Sequence, residues 1–246
     1  MSLSTLQTVD GLALAGRTWL VDGRPRAAVV LAHGFSASKD EADVVRVAGA
    51  LHAAGFDVVS YDARGHGASE GECTLGDLER HDVAAAVDAA RLLSDGVVLV
   101  GASMGAIAVL RHAADDHEIS GVVSVSSPVA WRVPRTARSL LAAGVTRTSV
   151  GRRFVARHQK LRIAARWTNP EPPGRLASRI TAPLAVVHGQ RDRFISPREA
   201  VELYSEAAGP CRLELVPHMG HAFDSVAVPV IVDCVDWCLA RNDQTG

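Results

Sequence analysis

No run in this chain reaches the ~18 consecutive apolar residues of a membrane-spanning helix, so a transmembrane bundle is set aside. The opening Met1-Ser2-Leu3-Ser4-Thr5-Leu6 has neither the basic nor the apolar region of a secretion leader, and a cytoplasmic location is expected. Cysteine is scarce: Cys73, Cys211, Cys234 and Cys238 form no C-x-x-C pair and have no suitably spaced histidines. They predict neither a zinc site nor a disulfide framework, and buried free thiols are the default. A formal net charge of −1 argues against a nucleic-acid binder. Internal repeats and low-complexity tracts are absent as well. What is there is 246 residues, 48% of them hydrophobic, enough to bury a substantial core in one large α/β domain.

Two stretches, 6–9 and 12–20, flank Asp10-Gly11, a pair that supplies the positive φ angles of a two-residue turn. An N-terminal antiparallel hairpin is expected there. Beyond it come short, apolar, β-branched runs at 27–32, 57–61, 97–100, 122–125, 184–187 and 212–216, of the kind buried on both faces of a parallel sheet. Helical stretches at 41–54, 75–93, 103–114 and 228–240 alternate with them. The expected fold is α/β: a mostly parallel central sheet of about eight strands flanked by helices, with ligand sites at the carboxyl ends of the strands.

The alternation breaks between Arg132 and Ile180, where no strand pattern appears and helical pieces are expected around 135–143 and 150–165. So long a connection reads as a cap inserted over the strand ends, with residues 1–131 and 181–246 forming the core. Residues 168–174, with three prolines, are expected to return from the cap as an extended segment.

The chemistry is most legible at Gly101-Ala102-Ser103-Met104-Gly105, which lies between the apolar run Val97-Val98-Leu99-Val100 and the helix-like Ala106-Ile107-Ala108-Val109-Leu110. A G-x-S-x-G in that context matches a nucleophile elbow, where flanking glycines remove Cβ atoms that would collide with strand and helix. A serine hydroxyl is a poor nucleophile at neutral pH, so it needs a base, an orienting acid and donors for a developing oxyanion. His221 follows the final strand and Asp192 the strand at 184–187, giving the chain order Ser, Asp, His. His33-Gly34-Phe35 follows the strand at 27–32, where the Phe35 N–H can aim at the same point as the N–H of Met104.

Rivals exist for two of these positions. His218 competes with His221 as base, and Asp224 and Asp62 compete with Asp192 as acid. Asp224 is too near His221 in sequence to approach its ring easily from behind, and Ser126-Ser127-Pro128 offers no acid after the strand at 122–125. His33, Arg64, His66 and His188 sit in turns where polar side chains satisfy backbone groups, and structural support is their expected role. Trp131 and Trp167, at the two ends of the cap, are candidates to line an acyl pocket, with core packing the alternative.

Five segments in order resemble those of the α/β-hydrolase superfamily, nearest its esterase, monoacylglycerol lipase and serine-peptidase-like branch: His33-Gly34-Phe35, 61–69, 101–105, 188–192 and Gly220-His221. The resemblance spans essentially the whole chain apart from the cap. It implies a triad of Ser103, Asp192 and His221, with Phe35 and Met104 as backbone oxyanion donors and no metal or cofactor. Relatives with dehalogenase or epoxide-hydrolase chemistry carry aspartate where this chain has Ser103. The implied activity is hydrolysis of a small-molecule carboxylic ester through an acyl-enzyme; amide, peptide and thioester hydrolysis stay open, as does a non-catalytic ligand receptor.

Between Arg132 and Ile180 stand eleven arginines and one lysine against a single acid, Glu171. That asymmetry suits an anionic or lipid-derived substrate, or peripheral contact with an anionic membrane surface. The alternative is pairing with sheet-domain acids such as Asp40, Glu41 and Asp43. Oligomeric state is not legible.

Overall fold

In the computed structural model, which describes residues 2–131, 144, 148–166 and 168–242, the apolar runs join one eight-stranded sheet. Its strands are β1 (Ser2–Gln7), β2 (Ala13–Trp19), β3 (Ala28–Ala32), β4 (Asp57–Tyr61), β5 (Val97–Ala102), β6 (Gly121–Val125), β7 (Leu184–Gly189) and β8 (Cys211–Val216). They lie in the order β1-β2-β4-β3-β5-β6-β7-β8. β1 with β2 and β2 with β4 are antiparallel, and every other pair is parallel.

Helices cover both faces of the sheet, which is why its central strands are apolar throughout rather than alternating. α2 (Glu79–Arg91), α3 (Met104–Ala113), α5 (Pro173–Ala177) and α6 (Pro197–Glu206) pack Val83, Val109, Leu110, Leu176 and Leu203 on one face, against Val30, Leu99 and Val122. On the other, α1 (Ala42–Ala53) and α7 (Val228–Asn242) bring Val47, Leu51, Ile231 and Val235 to Val29, Leu31, Val98 and Val123. Each Val or Leu buried this way contributes about 2 kcal/mol, so the loops at the strand ends are hung from a rigid frame.

Three local expectations are corrected. The hairpin turn is wider than two residues: Thr8 N–H donates to Leu12 O at 3.0 Å, and Leu12 N–H returns to Thr8 Oγ1 at 2.9 Å. Those bonds close a three-residue loop, Val9-Asp10-Gly11, in which only Gly11 adopts a positive φ, +86°. The expected helix at 150–165 is the shorter α4 (Ser149–His158). Leu161 and Ile163 are buried instead on an extended segment, where Cys73 N–H donates to Arg162 O at 2.7 Å and Ala164 N–H to Cys73 O at 2.9 Å. The return segment turns helical at Pro173, because a proline in the first turn of a helix gives up no hydrogen bond. The helix expected at 135–143, and Trp167, lie outside the described residues.

Cys73, Cys234 and Cys238 are buried free thiols and Cys211 is partly buried. Among the described residues no helix is long and apolar enough to cross a membrane.

Candidate active site

β5 turns into α3 at Ser103, which has φ 52° and ψ −111°, a conformation that a non-glycine residue holds only under constraint. The constraint comes from both sides. Ser103 N–H donates to Val125 O on β6 at 2.8 Å, while Gly101 and Gly105 let strand and helix meet. A Cβ on Gly101 would stand 2.4 Å from Gly105 O. The result is a serine presented at the carboxyl edge of the sheet.

Two further strand ends bring partners to it. His221 Nε2 lies 3.0 Å from Ser103 Oγ, and His221 Nδ1 lies 2.6 Å from Asp192 Oδ2. An ionised carboxylate only accepts, so Nδ1 carries the ring proton and Nε2 is left to accept from the serine hydroxyl. The loop that carries His221 is fastened by Gly220 N–H to Asp224 Oδ2 at 2.9 Å and by Ala222 N–H to Ser126 Oγ at 3.2 Å. Phe194 lies beside the imidazole, with ring centroids 4.9 Å apart.

The Asp192 side chain is fully buried, and its Oδ1 accepts from the Phe194 and Ile195 amides at 2.8 and 3.0 Å. Burial alone would raise its pKa, but hydrogen bonds from His188 and then His221, with the charge on His221 and the Ile195 amide, outweigh that and hold it well below the usual carboxylate range. It stays ionised behind the imidazole.

The rivals are occupied elsewhere. Asp224 binds the Gly220 and Val226 amides, Asp62 accepts from the Lys39 and Ala68 amides, and His218 is exposed. Arg64 is buried between Asp10 and Asp82. His33 donates from Nδ1 to Gly34 O at 2.8 Å and accepts at Nε2 from Ala63 N–H at 3.0 Å. His66 does the same with Arg64 O and Ser36 N–H, at 3.0 and 3.3 Å. Burial pushes both imidazoles down, His66 to about 4.

The His33-Gly34-Phe35 loop lies against the serine: a Cβ on Gly34 would stand 3.5 Å from Ser103 Cβ. The Met104 amide is at the first turn of α3, where backbone N–H groups have no partner within the helix. Trp131 donates from Nε1 to Pro170 O at 2.5 Å, a bond that does not involve the Ser103 group. A cavity of about 360 Å³ on another flank, lined by Asp77, Arg80, Arg111, Glu171 and Arg179 among others, excludes the serine.

Three contributions were not foreseen: Ser126 bracing the base loop, Phe194 beside the base, and His188 reaching the acid. The 188–192 segment was visible, but that residue 188 comes back to 192 depends on the turn between them.

A mostly parallel sheet that delivers a serine at a strand-to-helix turn, with an imidazole and a carboxylate from later strand ends, defines the α/β serine hydrolase class. The sequence profile of the serine aminopeptidase, S33, family matches residues 23–171, more than half of the chain, and the chain belongs to that family of the α/β-hydrolase superfamily. No curated protein matches it. Among solved structures, an esterase of Pyrococcus furiosus, Pf2001, is similar at 23% identity with a TM-score of 0.75, covering 98% of this chain and 90% of that one. Est1E from Butyrivibrio proteoclasticus with ferulic acid bound is 17% identical at a TM-score of 0.71, with 98% and 99% covered. XC6422 from Xanthomonas campestris, described as an α/β serine hydrolase without a lid, is 20% identical at 0.65, with 98% and 94% covered. At these identities the likeness is one of fold.

Proposed function

We propose that this protein hydrolyses small-molecule carboxylic esters through an acyl-enzyme on Ser103. The observation that carries the reading is the run of two contacts, 3.0 Å from Ser103 Oγ to His221 Nε2 and 2.6 Å from His221 Nδ1 to Asp192 Oδ2. In it, Ser103 Oγ attacks the carbonyl carbon as His221 Nε2 takes the hydroxyl proton, and buried Asp192 stabilises the imidazolium. The Phe35 and Met104 amides receive the oxyanion. His221 then gives its proton to the departing alcohol, and water, activated by the same ring, releases the acid.

The preference for esters rests on structural neighbours described as esterases, whereas the family description names an aminopeptidase. A fluorophosphonate probe followed by a substrate panel tests both levels. Labelling of Ser103 in the native protein, lost on unfolding and in His221→Ala, is expected; no labelling returns the chain to the ligand-receptor reading. In a panel of aryl esters, acyl-thioesters and aminoacyl amides, the esters are expected to be cleaved fastest, and a preference for amides overturns the ester assignment.

The insert at 132–180 is read here as a cap. Its extended stem pairs Ile163 with Cys73, whose Sγ is 3.4 Å from Met104 Sδ, one residue from the serine. Among the described residues Asp40 pairs with Arg17 and Lys39, and Asp43 with Arg46, while Arg179 of the segment pairs with Glu171 at 2.9 Å and with the core acid Asp115 at 3.9 Å. Arg162 binds the Gly71 and Ser69 carbonyls, while Arg153 and Arg157 on α4 are exposed. On the same helix Val150 and Phe154 are 77% and 59% exposed. Apolar side chains beside arginines at helical spacing fit peripheral contact with an anionic membrane surface that bears the ester substrate.

A further inference from the structure

One buried polar group has no place in the reaction described above. His188, the fifth residue of β7, is fully buried, and its Nδ1 has no hydrogen-bond partner among the described residues. Its Nε2 lies 3.2 Å from Ile195 O and 3.4 Å from Asp192 Oδ2. A carbonyl and an ionised carboxylate both accept only, so Nε2 carries the ring proton and Nδ1 a bare lone pair. Among the described residues Nδ1 has no acceptor within reach for a second proton. The ring thus presents one N–H, bonded to Ile195 O, with Asp192 Oδ2 close beside it.

We infer that His188 is a positioning residue of the reaction: a second imidazole that stands against Asp192 Oδ2 beside His221, fixes the carboxylate in its plane and tempers its negative charge. The inference rests on the hydrolase reading for its purpose but not for its geometry. Asp192 accepts from the Phe194 and Ile195 amides on Oδ1 and lies 2.6 Å from His221 Nδ1 through Oδ2, and His188 Nε2, bonded to Ile195 O, stands 3.4 Å from the same Oδ2. The two amides hold the carboxylate still, His188 flanks it, and His221 is the group it serves. The 3.4 Å contact, shared with Ile195 O, is weaker than the 2.6 Å one, so His188 moderates the pair without replacing it. Among the described residues the ionisable groups facing Asp192 are His188 from β7 and His221 from the loop after β8. Arg191 and Arg193 beside it are exposed, and Asp224 on the His221 loop faces the Gly220 and Val226 amides.

Removing the His188 donor leaves more charge on Asp192 and strengthens its hold on the His221 proton. In His188→Leu the midpoint of His221 protonation, followed by imidazole NMR, is expected to rise by about half to one pH unit. His188→Gln, whose side-chain amide keeps an N–H near the same place, is expected to restore most of the native midpoint. A packing role alone would lower the melting temperature in both variants and leave the midpoint where it was, which overturns the inference. If His188→Leu does not fold, ring-nitrogen shifts of the native protein decide: His188 is expected as the Nε2–H tautomer. An Nδ1–H tautomer refutes it. Neither readout needs turnover, so each stands apart from the fluorophosphonate test of the hydrolase reading.

Discussion

The carbonyl oxygen of Ala32 lies 2.3 Å from where a Cβ on residue 105 would stand, so β3 and the first turn of α3 touch through Gly105. Helix propensity favours alanine over glycine by about 1 kcal/mol, but forcing a methyl group onto a backbone carbonyl costs about 3 kcal/mol. Gly105→Ala is therefore expected to destabilise the protein by about 2 kcal/mol and to displace the serine. Gly49, inside α1, is the opposite case: its Cβ would meet nothing within 4 Å. Gly49→Ala is expected to stabilise by about 0.5–1 kcal/mol. Urea unfolding of the two variants checks the pair, and equal signs would refute the argument.

If Ser103, His221 and Asp192 work as a unit, their losses do not add. Ser103→Ala and His221→Ala are each expected to lower kcat on an aryl ester by about 10⁶-fold, and the double variant by no more than either. Asp192→Asn is expected to cost less, about 10⁴-fold, because the serine and imidazole remain while the ring loses its enforced tautomer. Steady-state kinetics on purified variants test this. Additive losses would mean that the three side chains act separately.

The parts of this molecule legible in its sequence are those decided by burial. Val97-Val98-Leu99-Val100 reads as a strand because helices cover both faces of β5, and Ser103 reads as an elbow because glycines flank it at fixed offsets. The same criterion misread 150–165. Leu161 keeps a helix-like spacing from Phe154 and Ile163 from Val155, yet both are buried along an extended stretch where Ile163 pairs with Cys73, ninety residues away in sequence. Periodicity reports that a side chain is buried, not which neighbour buries it. Asp10-Gly11 failed for a related reason: the Thr8 side chain closes the wider loop, and Arg64 takes the Asp10 carboxylate at 2.8 Å. The approach of His188 to Asp192 likewise follows from the backbone path between them, which no residue type in 189–191 announces.

Acid weakens this fold through the turn histidines His33 and His66, which meet edge to face with ring centroids 5.0 Å apart. In the unfolded chain His66 takes up a proton near the ordinary imidazole value of 6.5, whereas in the fold burial, then His33, delays that to about 4. Between these values the unfolded state binds more protons, so stability falls as pH drops through 6.5 and levels off below 4. The His66 share amounts to about 2 kcal/mol between pH 8 and pH 5, and buried His33 acts in the same direction. Urea unfolding at the two pH values is expected to show the loss, and His66→Gln to reduce it. A His66→Gln profile that matches the native one would remove these rings as the cause.

The exposed face of α4 makes the remaining prediction, and it separates two uses of the same charge. Each arginine near an anionic bilayer contributes about 1 kcal/mol, so Arg153→Gln with Arg157→Gln is expected to weaken partitioning onto phosphatidylglycerol-containing vesicles by about 30-fold. Phe154→Ser is expected to weaken it further, because the ring supplies the apolar area that enters the headgroup boundary. Vesicles of phosphatidylcholine alone should bind poorly, and raising salt should release the protein from the anionic ones. Should the native protein ignore both kinds of vesicle while its kcat/KM on an anionic ester falls with salt more steeply than on a neutral one, the insert steers soluble substrates instead, and the membrane contact is refuted.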